Sequence, residues 1–127
     1  MTRCRFFAFL LAVAGCGPQR PTEFTVSGKP LEHWLETIKT GEVPSREKAI
    51  AALGNVATAD PQVVPALAAA LHDSAPSVRG KAALALLKIG PDARAAIDSL
   101  TSAAQNDTDP DVRLYASKAL AKVQGKE

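Results

Sequence analysis

The sequence predicts an all-α protein, a short α-solenoid of three helical hairpins. The first observation is an eleven-residue pattern, R-x-[K/Y]-A-x-x-A-L-x-x-[V/I], whose copies begin at Arg46, Arg79 and Arg113. Successive copies start 33 and 34 residues apart, and a fixed period between about 20 and 50 residues is typical of stacked repeats. The second observation is that almost the whole chain from Pro30 onward has a helical pattern. We therefore expect three repeats, at about 30–59, 60–90 and 91–124 of a domain spanning 30–125.

The first hairpin begins at Pro30. Its first helix has apolar residues at positions i, i+3, i+4 and i+7, and this spacing places them on one helix face: Leu31, Trp34, Leu35 and Ile38. Gly41 and Pro44 interrupt this helix, and a second helix is expected at about 45–57. Because Trp34 lies on the apolar face, we expect it to cover the end of the stack. The alternative is a binding hot spot, where tryptophan is enriched.

The second hairpin begins at Asp60 and Pro61, an N-cap residue followed by a proline in the first helical turn. Its helices are expected to run to about residue 71 or 72 and over about 76–89. The second of these is apolar almost all round, which requires cover on several sides. Gly90 and Pro91 end it, because glycine accepts the left-handed conformation at a helix end and proline cannot continue the helix.

The third hairpin has an apolar face on its first helix and a capped start on its second. The apolar positions are Ala93, Ala96, Ile97, Leu100 and Ala104. Residues 106–109 make the turn, and Asp109 is the expected N-cap of a last helix that starts at Pro110 and ends near Val123.

The first 15 residues are predicted to be a removed signal peptide. Two arginines precede nine apolar residues at positions 6–14, which is a secretory pattern and too short for a span of about 20 residues. The run Val13-Ala14-Gly15-Cys16 resembles the lipobox of bacterial lipoproteins. That resemblance implies a lipid on Cys16, a place in the bacterial cell envelope and, from Gly17, the outer rather than the inner membrane. Ordinary cleavage after Ala14 is the alternative.

Residues 16–29 are expected to form a flexible tether, because they hold two prolines and two glycines and no helical period. Within this stretch, Phe24 and Val26 alternate with polar residues and could pack as a short extended cap on the first repeat. The domain would lie in the periplasm or be exported.

Charge and cysteine content narrow the class of function. Without the arginines of the signal, 13 basic residues balance 13 acidic ones, and this balance argues against a nucleic-acid partner. With Cys4 removed and Cys16 acylated, the mature domain has no thiol and no disulfide, so its fold depends on packing.

The repeated pattern resembles HEAT repeats and the HEAT-like repeats named after phycobilisome lyases. In that family each unit is two antiparallel helices, with a proline in the first helix and an Asp and an Arg six residues apart near the second. Pro65 stands eight residues before the second-repeat aspartate, as in the family. The first repeat departs from the pattern, because Thr40 replaces the aspartate, and the third lacks the proline. The resemblance implies a ladder of hydrogen bonds between repeats, formed by Asp73, Arg79, Asp107 and Arg113.

No catalytic, cofactor or metal site is predicted. His33 and His72 are the only histidines, and no carboxylates converge on either one in the sequence. A phosphate-binding loop and a G-x-S-x-G motif are both missing. A lyase-like enzyme accessory is a further alternative suggested by the repeat name, but the mature chain lacks a cysteine for that chemistry.

The predicted function is a non-enzymatic protein–protein interaction scaffold, since stacked repeats present extended surfaces to partners. The resemblance implies that the second helices line the concave face. Their candidate partner contacts are Lys48, Lys81, Lys88, Tyr115, Lys118 and Lys122. This mildly basic set would suit an acidic segment of another protein, although lysines also simply keep a surface solvated. The structural alternative is self-assembly, in which the stack joins other copies or other repeat proteins.

Overall fold

The computed structural model describes residues 24–126, and the predicted all-α solenoid of three hairpins is confirmed. Within that range the helices are α1 Leu31–Thr40, α2 Val43–Gly54, α3 Val63–Ala70, α4 Pro76–Ile89, α5 Ile97–Asn106 and α6 Pro110–Val123. A 3₁₀ helix, Gly90–Ala96, leads into α5. A short antiparallel hairpin of β1 (Thr25–Val26) and β2 (Lys29–Pro30) precedes α1.

The helices form two layers around one apolar core. The first helices α1, α3 and α5 make one layer, and the second helices α2, α4 and α6 make the other, each packing against the next repeat. Leu53, Leu67, Leu86 and Leu100 are fully buried between the layers. Helix α4 is enclosed by both neighbouring repeats, as its nearly all-apolar sequence requires.

Small residues set the spacing of the second helices. A Cβ atom added to Gly54 would lie 3.2 Å from the Cβ of Ala85, so α2 and α4 approach closely at this point. The alanines of the repeated pattern are buried in all three copies. Short side chains where the second helices meet therefore allow these helices to pack closely in each repeat.

The helices differ from the predicted ones at three places in the chain. Helix α2 starts at Val43 and ends at Gly54, earlier than 45–57, because proline is tolerated in the first helical turn and does not have to precede it. Helix α3 starts only at Val63, since the Asp60 carboxylate accepts from the Gln62 N–H and forms a separate turn. The third repeat begins with the 3₁₀ helix, in which Ala93 departs from helical dihedral angles.

The N-terminal end of the stack is covered by the β-hairpin. Trp34 Nε1–H donates to the Val26 carbonyl oxygen at 2.7 Å, and both side chains are only 4 % exposed. Ser27 and Gly28 have positive φ values of 51° and 78°, which the tight two-residue turn needs. The part of the predicted tether from residue 24 to 29 is thus a folded cap in which Val26 packs inward and Phe24 stays exposed. Residues 16–23 lie outside the described range.

Candidate partner-binding face

The repeats are joined by arginine–aspartate pairs that cross from one hairpin to the next. Arg79 donates from Nε to Asp107 Oδ2 at 2.9 Å and from Nη2 to Asp107 Oδ1 at 3.1 Å. Arg46 pairs with Asp73 in the same way, but only Nη2 donates, to Oδ1 at 2.9 Å; Nε lies 2.8 Å from Oδ2 as an ion-pair contact without hydrogen-bond geometry. All four side chains are mostly buried, so these paired contacts act in a partly desolvated setting where they are strong.

Each arginine of the pattern also holds the turn of its own repeat. Nη1 donates to a backbone carbonyl in the turn before the second helix, at 2.7 Å for Arg46, 2.8 Å for Arg79 and 2.7 Å for Arg113. The six-residue spacing of Asp and Arg lets the arginine donate to the backbone carbonyl of the aspartate in its own repeat. The carboxylate of that aspartate instead accepts from the arginine of the preceding repeat. Arg46 belongs to this ladder, although the resemblance implied only Asp73, Arg79, Asp107 and Arg113. Its place in the repeated pattern was the signal that could have included it.

Asp107 has a pKa below its ordinary value. Burial alone raises the pKa of this carboxyl group, but hydrogen bonds from Arg79 and from the Asp109 N–H, with the charges of Arg79 and Arg113, outweigh burial. The ionised form is therefore the one that the fold stabilises. Asp107 is consequently a structural anion of the ladder.

The second helices present a groove with an apolar lining between α2 and α4. The groove has a volume of about 400 Å³ and includes Ile50, Ala51, Leu84 and Ala85 in its lining. Leu84 is 42 % exposed there, an unusual environment for a leucine in the middle of the central helix. At one end of the groove, Lys88 donates to the side-chain oxygen of Asn55 and so bridges the two helices.

The predicted contact lysines lie on the same layer as this groove but are not all equally placed. Lys81 and Lys88 line the groove, with Glu47 as the one acidic group among the lining residues. Lys48 is exposed on α2 outside the groove lining, and Lys118 is exposed on α6. Lys122 is half-buried because its aliphatic chain packs against Gly90. The exposed leucine was not predicted, since the pattern places it among core alanines.

Tyr115 is less accessible than the sequence suggested. It is half-buried and packs against the core, with a ring atom 3.8 Å from where a Gly80 side chain would begin. At the position where the other repeats hold Lys48 and Lys81, the tyrosine fills a gap between α4 and α6. Its main role is therefore packing between repeats.

Residues 24–126 contain no group of three or more His, Cys, Asp or Glu side chains that could hold a metal ion. In the same part of the chain, no helix has the length and apolar character needed to cross a membrane. The signal peptide and Cys16 lie outside the described range.

The repeat geometry agrees with a comparison of the sequence with known families. A family model described as HEAT repeats matches residues 31–124, most of the chain. The protein belongs to the HEAT repeat family. HEAT repeats commonly mediate protein–protein interaction, which fits a stack that offers an open groove on its second helices. A search of curated proteins found none that matches this HEAT protein.

Proposed function

We propose that this HEAT protein is a non-enzymatic adaptor that binds a partner protein in the groove between α2 and α4. The observation that carries the proposal is Leu84, which is 42 % exposed in an apolar groove flanked by lysines. A side chain of this size stabilises a fold by about 1.5–3 kcal/mol when it is buried. Because Leu84 is partly exposed, the fold forgoes part of that gain, and a partner that covers the side chain would recover it on binding.

The shape and charge of the groove favour a helical or extended peptide segment as the ligand. It runs between two adjacent helices, which is the arrangement that receives an amphipathic helix in many recognition modules. Lys81 and Lys88 stand on its wall and Lys48 lies on the neighbouring surface, against the single Glu47. A partner segment with an apolar side chain between carboxylates could cover Leu84 and pair its carboxylates with the lysines.

The proposal includes a lipid anchor at the bacterial cell envelope. Its support is the run Val13-Ala14-Gly15-Cys16 after nine apolar residues. Eight residue steps separate Cys16 from Phe24, and an extended chain covers at most about 3.5 Å per step. A lipid on Cys16 would therefore hold the capped end of the stack within about 28 Å of the membrane, with the groove accessible to envelope proteins.

Site-specific crosslinking in native membranes tests the adaptor function. A photo-crosslinking amino acid in place of Leu84 should capture one envelope protein in quantity, read by mass spectrometry. Adding the charge reversals Lys81→Glu and Lys88→Glu to the same chain should reduce the yield of that product several-fold. A photo-crosslinking residue in place of Thr58, an exposed position outside the groove lining, is the matched control and should not give the same product.

The same experiment has outcomes that contradict the proposal. If position 84 captures nothing above the Thr58 control, the groove is not a partner site. If the product at position 84 is unaffected by reversing both lysine charges, the partner is not an acidic segment. Metabolic labelling with a fatty acid, lost in Cys16→Ser, tests the anchor separately.

A further inference from the structure

The two ends of the stack differ in whether another element of the chain covers them. At the N-terminal end, the β-hairpin covers Trp34, and Thr40 stands where the other repeats have Asp73 and Asp107. At the C-terminal end, helix α6 has no covering element among residues 24–126. The last repeat therefore shows the surface that each inner repeat uses to hold its successor.

Arg113 is held in place for a contact that the described chain does not complete. Its Nη1 donates to the Asp107 carbonyl at 2.7 Å, matching the turn contact by which Arg79 is positioned. In Arg79, Nε and Nη2 then bind the next repeat's carboxylate. Among residues 24–126, Arg113 has no carboxylate in that position. A guanidinium fork oriented in this way matches a carboxylate in two-bond geometry.

Two side chains of α6 are also exposed at positions that are buried in α4. Leu114 is 49 % exposed, whereas the equivalent Gly80 is buried beneath Val112 and Tyr115 of the following repeat. Ser117 is exposed, whereas the equivalent Ala83 is buried. These positions face the next repeat in the inner hairpins, so in α6 they mark the surface that a fourth repeat would cover.

We propose that the C-terminal end of the stack is a docking surface for a helical repeat of another protein, one that carries an aspartate three residues before a helix. Asp73 and Asp107 stand three residues before Pro76 and Pro110, the first residues of α4 and α6, and serve as the internal template. The docked aspartate accepts from Nε and Nη2 of Arg113, while apolar side chains cover Leu114. This surface is separate from the groove at Leu84 and does not depend on the adaptor function.

A second copy of this chain does not supply that occupant. Its N-terminal repeat offers Thr40 in place of the aspartate, and the Thr40 hydroxyl already donates to the Glu36 carbonyl. The hairpin also occupies the end that a head-to-tail copy would present. The N-terminal end of a second copy therefore offers no carboxylate in the position that Arg113 requires.

The competence of the surface is tested by extending the full chain with a copy of residues 91–124 placed directly after Gln124. The copied aspartate then follows Arg113 by 28 residues, the separation of Arg79 and Asp107. We expect the melting temperature to rise by at least about 5 °C, since added burial and the new pair act on a domain of this size. Replacing only the copied aspartate with alanine, which disturbs no bond of the original chain, should remove at least half of the rise. No rise, or a rise indifferent to that replacement, overturns the proposal.

The native occupant is tested by a photo-crosslinking residue in place of Leu114, used in native membranes. The expected product is a second protein, crosslinked within a few residues of an aspartate that precedes a helix by three positions, and lost in Arg113→Gln. A crosslink to another copy of this chain, or no crosslink from position 114, overturns the proposal. The product from position 84 reports the groove independently, so the two proposals fail separately.

Discussion

Asp107 is the residue whose loss should most clearly reveal the ladder. Its carboxylate accepts from Arg79 Nε at 2.9 Å, from Arg79 Nη2 at 3.1 Å and from the Asp109 N–H at 2.9 Å. The side chains are 7 % exposed for the aspartate and 13 % for the arginine. The substitution Asp107→Ala therefore removes three hydrogen bonds and leaves a mostly buried guanidinium facing no anion.

The magnitude follows from the burial of the pair. Breaking a fully buried ion pair costs about 3–5 kcal/mol, whereas an exposed pair contributes up to about 1 kcal/mol. The low exposure of both side chains places this pair nearer the first case, and we expect a loss of about 2–4 kcal/mol. Domains of this size have unfolding free energies of about 5–15 kcal/mol, so the loss would be a large fraction of the total.

Urea unfolding followed by circular dichroism at 222 nm measures the loss. The matched control is Asp98→Ala, an exposed aspartate in the first turn of α5, which should cost no more than about 0.3–1 kcal/mol through the helix dipole. If Asp107→Ala falls within about 0.5 kcal/mol of this control, the scatter of ordinary surface substitutions, the ladder is not a stabilising element and the reasoning from burial is wrong.

Three further predictions concern the same packing. Because the folded state lowers the pKa of Asp107, the stability contributed by its carboxylate is complete above the unfolded pKa of about 3.9 and is lost as the pH falls through the lower folded pKa. The difference in unfolding free energy between the wild type and Asp107→Ala should therefore be constant from pH 5 to 8 and shrink below about pH 4. Ala85→Phe should lower the melting temperature, at a cost of about 1–3 kcal/mol, because Ala85 packs so closely against Gly54 that a larger side chain would push α2 and α4 apart. An unchanged melting temperature in a thermal scan would contradict the close approach of α2 and α4. Trp34→Phe should loosen the β-hairpin, because it removes the 2.7 Å hydrogen bond to Val26 and with it about 0.5–1.5 kcal/mol of stability. Amide hydrogen exchange should accelerate at residues 25–31 and not in α6; equal protection in the wild type and the variant would show that this bond does not hold the cap.

The helices and their order could be predicted from local patterns alone. Apolar spacing in α1, proline and aspartate before α4 and α6, and Gly90 after α4 are signals within a few residues of where they act. The boundaries of α2 and α3 were less accurate, because Pro44 is compatible with a first helical turn and Asp60 closes a separate turn. The tolerance of proline in the first turn decided the start of α2, and a local hydrogen bond to Asp60 decided that of α3; sequence spacing does not rank these alternatives.

The candidate sites could be predicted only in part. The lysines of the second helices follow from the repeat register, yet Leu84 and Leu114 have no distinguishing local pattern. Tyr115 occupies a register position that holds lysine elsewhere, but its ring fills the gap above Gly80. Exposure at these positions depends on which neighbour covers them, and that neighbour lies about one repeat away in sequence.

Local patterns in the chain are enough to predict the period, the helical hairpins, the recurring arginines and aspartates, and the small residues where helices approach. These are properties that each repeat carries in its own residues. The stacked structure is needed to see that Arg46 pairs with Asp73 across a repeat boundary, that the hairpin covers one end, and that no carboxylate among residues 24–126 pairs with Arg113 beside the exposed Leu114. The physical reason is that identical motifs acquire different environments once stacked, because an inner repeat has two neighbours and an end repeat has one.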